Sequence, residues 1–192
     1  MKIHQPADLI EDANEALQML KDGNERFLNG EPILKTCCSA DREVYISGQK
    51  PFAAIITCSD SRVVPEIFFD QKLGDIYTIR NAGNIVDRTT LGSLEYAIQH
   101  LRTRLIVVCG HNKCGAVTGA CSGEEFTPNI NHIMEYIKPA VKNGGSIDEI
   151  SRKNVEIQVE LIRADEALKN LEVLVAGAFF DISSGKVTWL NC

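Results

Sequence analysis

Four apolar runs in this chain show no alternation of polar and apolar positions: Phe52-Ala53-Ala54-Ile55-Ile56-Thr57, Ile76-Tyr77-Thr78-Ile79, Leu105-Ile106-Val107-Val108 and Val173-Leu174-Val175-Ala176. A strand with one wet face must alternate, so runs of this kind suit parallel strands covered on both faces. Helical patterns lie between them, over 65–69, 90–101 and 114–121, followed by a long helical region from 131 to 168. Strands alternating with helices specify an α/β fold with a mostly parallel central sheet flanked by helices. The closing Val187-Thr188-Trp189-Leu190 follows Ser183-Ser184-Gly185, a turn signal that adds a C-terminal edge hairpin.

Ahead of the first strand, Ile10, Ala13, Leu17, Leu20 and Phe27 recur at near-helical spacing, with Asp8 as N-cap and Gly30 as stop. A second helical stretch covers 39–47. No strand separates the two, so residues 1–48 read as an N-terminal helical arm of the same domain. Its amphipathic face is suited to a partner subunit, although packing on its own domain is equally allowed. Residues 49–192 form the α/β domain that carries the chemistry. At 192 residues the chain is long enough for one domain with a sizeable core.

A net charge of −6 argues against a nucleic-acid partner. No run is long and apolar enough to span a membrane, and the N-terminus lacks the apolar stretch of a signal peptide. The expectation is a cytoplasmic protein. Seven cysteines, an odd number in a chain of this length, do not read as a disulfide framework.

Two short clusters sit directly after apolar runs: Cys58-Ser59-Asp60-Ser61-Arg62 and His111-Asn112-Lys113-Cys114-Gly115. In open α/β sheets ligands collect beyond the carboxyl ends of the strands, so both clusters fall on one rim. Two thiolates and one imidazole suit zinc, whereas magnesium or calcium would want oxygen ligands. Gly110 and Gly115 let the backbone bend around His111 and Cys114, and Cys114 opens a helix whose dipole favours a thiolate. Asp60 has two options: it completes the metal shell, or it pairs with Arg62 and leaves the fourth position to water. Cys109 reads as a buried apolar filler. Cys37, Cys38, Cys121 and Cys192 receive no role.

At this point the sequence resembles the β-class carbonic anhydrases. The likeness is carried by Cys58-Ser59-Asp60-Ser61-Arg62-Val63, by the block from Gly74 to Asn84, by Gly92-Ser93-Leu94-Glu95-Tyr96-Ala97, and by Gly110-His111-Asn112-Lys113-Cys114-Gly115-Ala116. A weaker echo runs from Gly177 to Gly185. The resemblance implies zinc held by Cys58, His111 and Cys114, with an Asp60–Arg62 dyad in which Arg62 draws the carboxylate off the metal. A zinc-bound hydroxide would then attack carbon dioxide to give bicarbonate and a proton, zinc having lowered the pKa of its water from 15.7 toward roughly 7. In a closed state Asp60 would become the fourth ligand.

The resemblance also places Gln49, Tyr77, Ala82 and the amide of Gly115 around the substrate, Ala82 making the pocket slightly roomier. It implies a homodimer or a dimer of dimers, in which Gln49 and Tyr77 serve the opposite subunit's site. A regulatory bicarbonate pocket found in some members would fall on Ile55, Arg80 and Phe180. Only the arginine is retained there, so an open site near neutral pH is expected. Two other functions share these motifs: a carbonyl sulfide or carbon disulfide hydrolase, and a non-catalytic zinc-stabilised binding protein. An intact Asp60, Arg62 and Gln49 argue against the second. His4, His100 and His132 match no motif, and Arg80 calls for a partner, either a carboxylate or backbone carbonyls at a subunit contact.

Overall fold

The computed structural model describes residues 9–33, 42–142 and 144–192. Its five strands are β1 (Ala53–Cys58), β2 (Ile76–Asn81), β3 (Leu105–His111), β4 (Leu174–Phe180) and β5 (Val187–Leu190). They form one sheet in the order β2-β1-β3-β4-β5. The first four are parallel, and β5 returns antiparallel to β4 as the edge hairpin. The helices are α1 (Ala13–Asn29), α2 (Pro65–Phe68), α3 (Arg88–Gln99), α4 (Gly115–Ser122), α5 (Pro128–Val141) and α6 (Ile147–Ala164).

Side chains alternate across the sheet, and both faces are covered, which is why the strand sequences do not alternate. Ile55, Leu105, Val107 and Phe180 pack with α1 and with Phe68 and Phe69. Ile56, Ile106, Val108 and Val175 pack with α3 and α6. A third apolar cluster joins α4 and α5 to the carboxyl end of β1. Chain order reverses between β1 and β3, so the crevice beyond their carboxyl ends is the switch point at which such sheets bind ligands.

α1 lies on its own domain, one of the two placements its pattern allows. Asp12 is its N-cap, accepting from the N–H groups of Asn14 and Glu15, whereas Asp8 falls outside the described residues. Gly30 ends the helix in the left-handed region at φ 70°. Of the second arm stretch, 39–41 lie outside the described residues, 42–43 are helical and 44–47 continue as turns, with the N–H groups of Tyr45, Ile46 and Gly48 bonded to the carbonyls three residues back. Two polar side chains, Arg26 and Asn24, hold α1 down. Arg26 pairs with the buried Asp70 at 2.6 Å, and Asp70 also accepts from the Ile33 N–H at 3.1 Å. Asn24 donates to the Phe68 and Gly185 carbonyls and accepts from the Val187 N–H.

At Gly23 the helix backbone meets the α2 turn so closely that a Cβ would lie 1.8 Å from the Phe69 carbonyl oxygen. Gly23→Ala therefore sets about 1 kcal/mol of gained helix propensity against a clash with rigid backbone. The clash dominates. A net loss of about 1–3 kcal/mol is expected, read as a lower urea midpoint with unchanged slope.

The long helical region from 131 to 168 resolves into two helices, α5 and α6. Gly144 (φ 68°) and Gly145 (φ 125°) turn the chain between them, and Ser146 with Glu149 forms a capping box that starts α6. The strands run further than their apolar cores suggest: β1, β2, β3 and β4 each extend at the carboxyl end, to Cys58, Asn81, His111 and Phe180. Among the described residues no helix is long and apolar enough to cross a membrane.

Candidate metal centre

Cys58 is the last residue of β1 and His111 the last of β3, and these strands are neighbours. Cys114 is the N-cap of α4, directly after the turn at Asn112-Lys113. Lys113 makes that turn in the left-handed region at φ 53°, its N–H bonded to the Asp148 carboxylate at 3.0 Å. One ligand atom from each of Cys58, His111 and Cys114 lies within 4.8 Å of the others, and all three residues are buried.

The imidazole is set by its surroundings. His111 Nδ1 is 2.8 Å from the Asn112 carbonyl, which can only accept, so Nδ1 carries the proton and Nε2 presents its lone pair. Nε2 is buried without a hydrogen-bond partner among the described residues, which would be an uncompensated cost unless something else occupies it. A bare imidazole nitrogen converging with two sulfurs is the donor set of a borderline-soft cation, and these residues fit a metal ion. Asn112 is itself pinned: its side chain donates to Asp181 at 2.8 Å and accepts from the Ile182 N–H at 2.9 Å.

The two thiols lie close enough to perturb one another. The Cys114 thiol beside it holds Cys58 well below the usual thiol range against the opposing effect of burial, with the Gly83 N–H contributing. The same contact and burial push Cys114 up. Gly83 reaches Cys58 Sγ with its N–H at 3.4 Å, from a turn at φ 77°. By contrast Cys109 lies fully inside the sheet, its thiol pushed up to about 12 by burial, as an apolar filler would be.

Asp60 stands apart from the three-ligand cluster. Arg62 grips its carboxylate in bidentate fashion, Nε to Oδ1 at 2.9 Å and Nη2 to Oδ2 at 2.7 Å, and the Arg62 N–H adds a third bond. These bonds hold the Asp60 carboxyl far below the usual carboxylate range. Arg80 donates to the carbonyls of Cys58 at 3.2 Å and Asp60 at 2.8 Å, so its partners are backbone carbonyls of its own chain. Ile55 and Phe180 are buried in the apolar cluster beneath α1.

The remaining expected site residues divide into two groups. Ala82 immediately precedes Gly83, and Gly115 begins α4 beside Cys114, so both border the ligands. Gln49 is exposed ahead of the amino end of β1, a strand's length of about 20 Å from the rim. Tyr77 sits in register with Ala54, four residues short of the Asn81 that pairs with Cys58. Within a single chain these two do not join the cluster. His100 caps α3 against Tyr96 and His132 meets Tyr136 on α5, both away from the ligands.

Sequence reasoning missed the Gly83 N–H and the polar side chains beneath it; for Arg80 it anticipated backbone carbonyls, but at a subunit contact and not beside Cys58. Asn154 and Gln158 carry a legible signal, two amides at i and i+4 within the buried stripe of a helix.

The carbonic anhydrase family model matches residues 53–187. Carbonic anhydrase 2 of Mycobacterium tuberculosis is 35% identical over 185 residues, covering 89% of each chain. The carbonic anhydrase of Helicobacter pylori is 41% identical over 194 residues, covering 85% of this chain and 88% of that one. A solved tetrameric β-carbonic anhydrase from Sordaria macrospora shares the fold at a TM-score of 0.73 and 24% identity, over 93% of this chain and 98% of that chain.

Proposed function

Because this chain belongs to the β-class carbonic anhydrase family, we propose that it interconverts carbon dioxide and bicarbonate at a zinc ion held by Cys58, His111 and Cys114. The observation that carries the reading is the buried convergence of those three ligand atoms beside a carboxylate that Arg62 keeps out of the cluster. Zinc with an open position supplies Lewis acidity that brings the pKa of a water toward roughly 7. The chain does the rest. The Asn112 carbonyl fixes the His111 tautomer, and the Gly83 N–H supports the Cys58 sulfur. Asp60, ionised throughout the neutral range, has only acceptor lone pairs. It takes a hydrogen bond from a donor at the open position and so fixes which way that donor's own lone pair faces. Arg80 holds the carbonyls on either side of Ser59 and thereby the spacing between Cys58 and Asp60. The Gly115 amide, in the first turn of α4, receives the anionic product. Gln49 and Tyr77 complete the pocket of a second subunit, in a homodimer or dimer of dimers.

Stopped-flow hydration of carbon dioxide on metal-quantified protein tests this reading. One zinc per chain and rapid turnover are expected. Asp60→Asn should keep the zinc and lower kcat/KM by roughly 10²-fold or more, the scale of a positioned proton acceptor. Full zinc occupancy without hydration at pH 8 would refute the assignment.

A further inference from the structure

A string of buried amides runs from α6 to the metal cluster. Asn154 and Gln158 are both 0% exposed, in the middle of the apolar face that α6 lays on the sheet. Asn154 Nδ2 donates to the Gly83 carbonyl at 2.9 Å, and its Oδ1 accepts from Gln158 Nε2 at 3.1 Å. Gln158 also donates to the Tyr136 carbonyl at 3.3 Å, while its Oε1 accepts from the Val86 N–H at 2.7 Å. Both side-chain amides therefore act on the segment that contains Gly83, one from each side of the turn. Across the same turn the Asn81 side chain spans Ile85, accepting from its N–H and donating to its carbonyl, both at 2.8 Å.

The product of this bracing is one contact. Gly83 stands in the left-handed region, and a Cβ there would lie 2.7 Å from Ile137 Cδ1, so the turn has no slack on its far side. Its N–H meets Cys58 Sγ. A thiolate in a buried site needs donors, and a donor already in place loses little entropy when the charge arrives. We propose that Asn154 and Gln158 are positioning residues for the metal centre: they hold the turn so that the Gly83 N–H stays on the Cys58 sulfur, and so raise the affinity of the site for its metal. This inference rests on the reading of Cys58 as a ligand.

The test measures zinc affinity by competition with a chromophoric chelator, and hydrogen exchange of the Gly83 amide by NMR, on the full chain. Asn154→Leu matches the shape but removes the donor to Gly83. It should weaken zinc by about 10–100-fold, as loss of an outer-shell partner does, and deprotect the Gly83 amide. Gln158→Met should weaken it in the same direction by at least about threefold. Val159→Ala, a fully buried apolar neighbour on α6 outside the string, controls for loosening of the helix: its melting temperature should fall while its zinc affinity stays within about twofold of wild type. Wild-type affinity and an unchanged Gly83 amide in Asn154→Leu would overturn the proposal. Should that variant fail to fold, an unchanged affinity in Gln158→Met overturns it equally. A wild-type chain that binds no stoichiometric zinc would refute the metal reading itself, and this inference with it.

Discussion

His111→Ala should lose zinc and carbon dioxide hydration together while keeping its fold. Structural zinc sites contribute on the order of 10–16 kcal/mol in all, so removing one of three protein ligands should weaken binding by roughly 10²–10⁴-fold. The fold survives because β3 is held by its ladders to β1 and β4 and by apolar side chains on both faces, none of which needs the imidazole. Metal content by mass spectrometry, far-UV dichroism and stopped-flow hydration on one preparation separate the effects. The comparison with Asp60→Asn is the informative part. One variant should lose metal and rate, the other rate alone. Retention of one tightly bound zinc by His111→Ala would mean that the metal sits elsewhere or that Asp60 has taken the vacated place.

Asp70→Ala should destabilise the protein by about 3–5 kcal/mol, a large part of what a domain of this size has to lose. Asp70 is fully buried at φ 49°, and Arg26, only 12% exposed, places its Nε 2.6 Å from the carboxylate. The Ile33 N–H donates to the same group. Truncation takes the carboxylate from a buried guanidinium and from a backbone donor at once, and losing one partner of a buried pair is far more costly than the pair was worth. Asp70→Asn tolerates the left-handed backbone but turns an amide donor or a single neutral oxygen toward the guanidinium, so it should recover little. The double variant Arg26→Met with Asp70→Ala should be less destabilised than Asp70→Ala alone, because the guanidinium is removed together with its carboxylate. Urea unfolding of wild type, Asp70→Ala, Arg26→Met and the double variant gives the coupling. Additive losses would show that the two side chains act separately.

Much of the architecture was legible because the strands are central. An apolar run covered on both faces announces itself in β1, β3 and β4, and the ligands at its carboxyl end follow from the topology of such sheets. The ends of strands were less legible: Gly110 and His111 break the apolar run, yet their backbone groups stay in the β3–β4 ladder. Hydropathy reports side chains, and the ladder is made by the main chain. The join between α5 and α6 was hidden for a related reason, since the Gly144–Gly145 turn interrupts a pattern whose helical period resumes at once. Within the site, Cys58, Asp60, Arg62, His111 and Cys114 were readable as chemistry-bearing types on one rim. The bracing was not. Asn154 and Gln158 stand on the apolar stripe of α6, but only the tertiary placement of that helix shows which backbone groups they meet.

The Asn24 bridge ties α1 to the β5 hairpin across 163 residues of sequence, and this has a bearing on how the chain is made. Synthesis is vectorial, so α1 leaves the ribosome long before Val187 exists. At roughly 5–20 residues per second the interval is about 8–30 s. During that time Met19 and Leu20 can meet Phe68 and Phe69 once those emerge, but Asn24 still lacks its Gly185 and Val187 partners. Completion of the apolar layer under α1 is thus deferred to the end of translation, and nascent chains arrested before residue 185 should be far more protease-sensitive in α1 than the released protein.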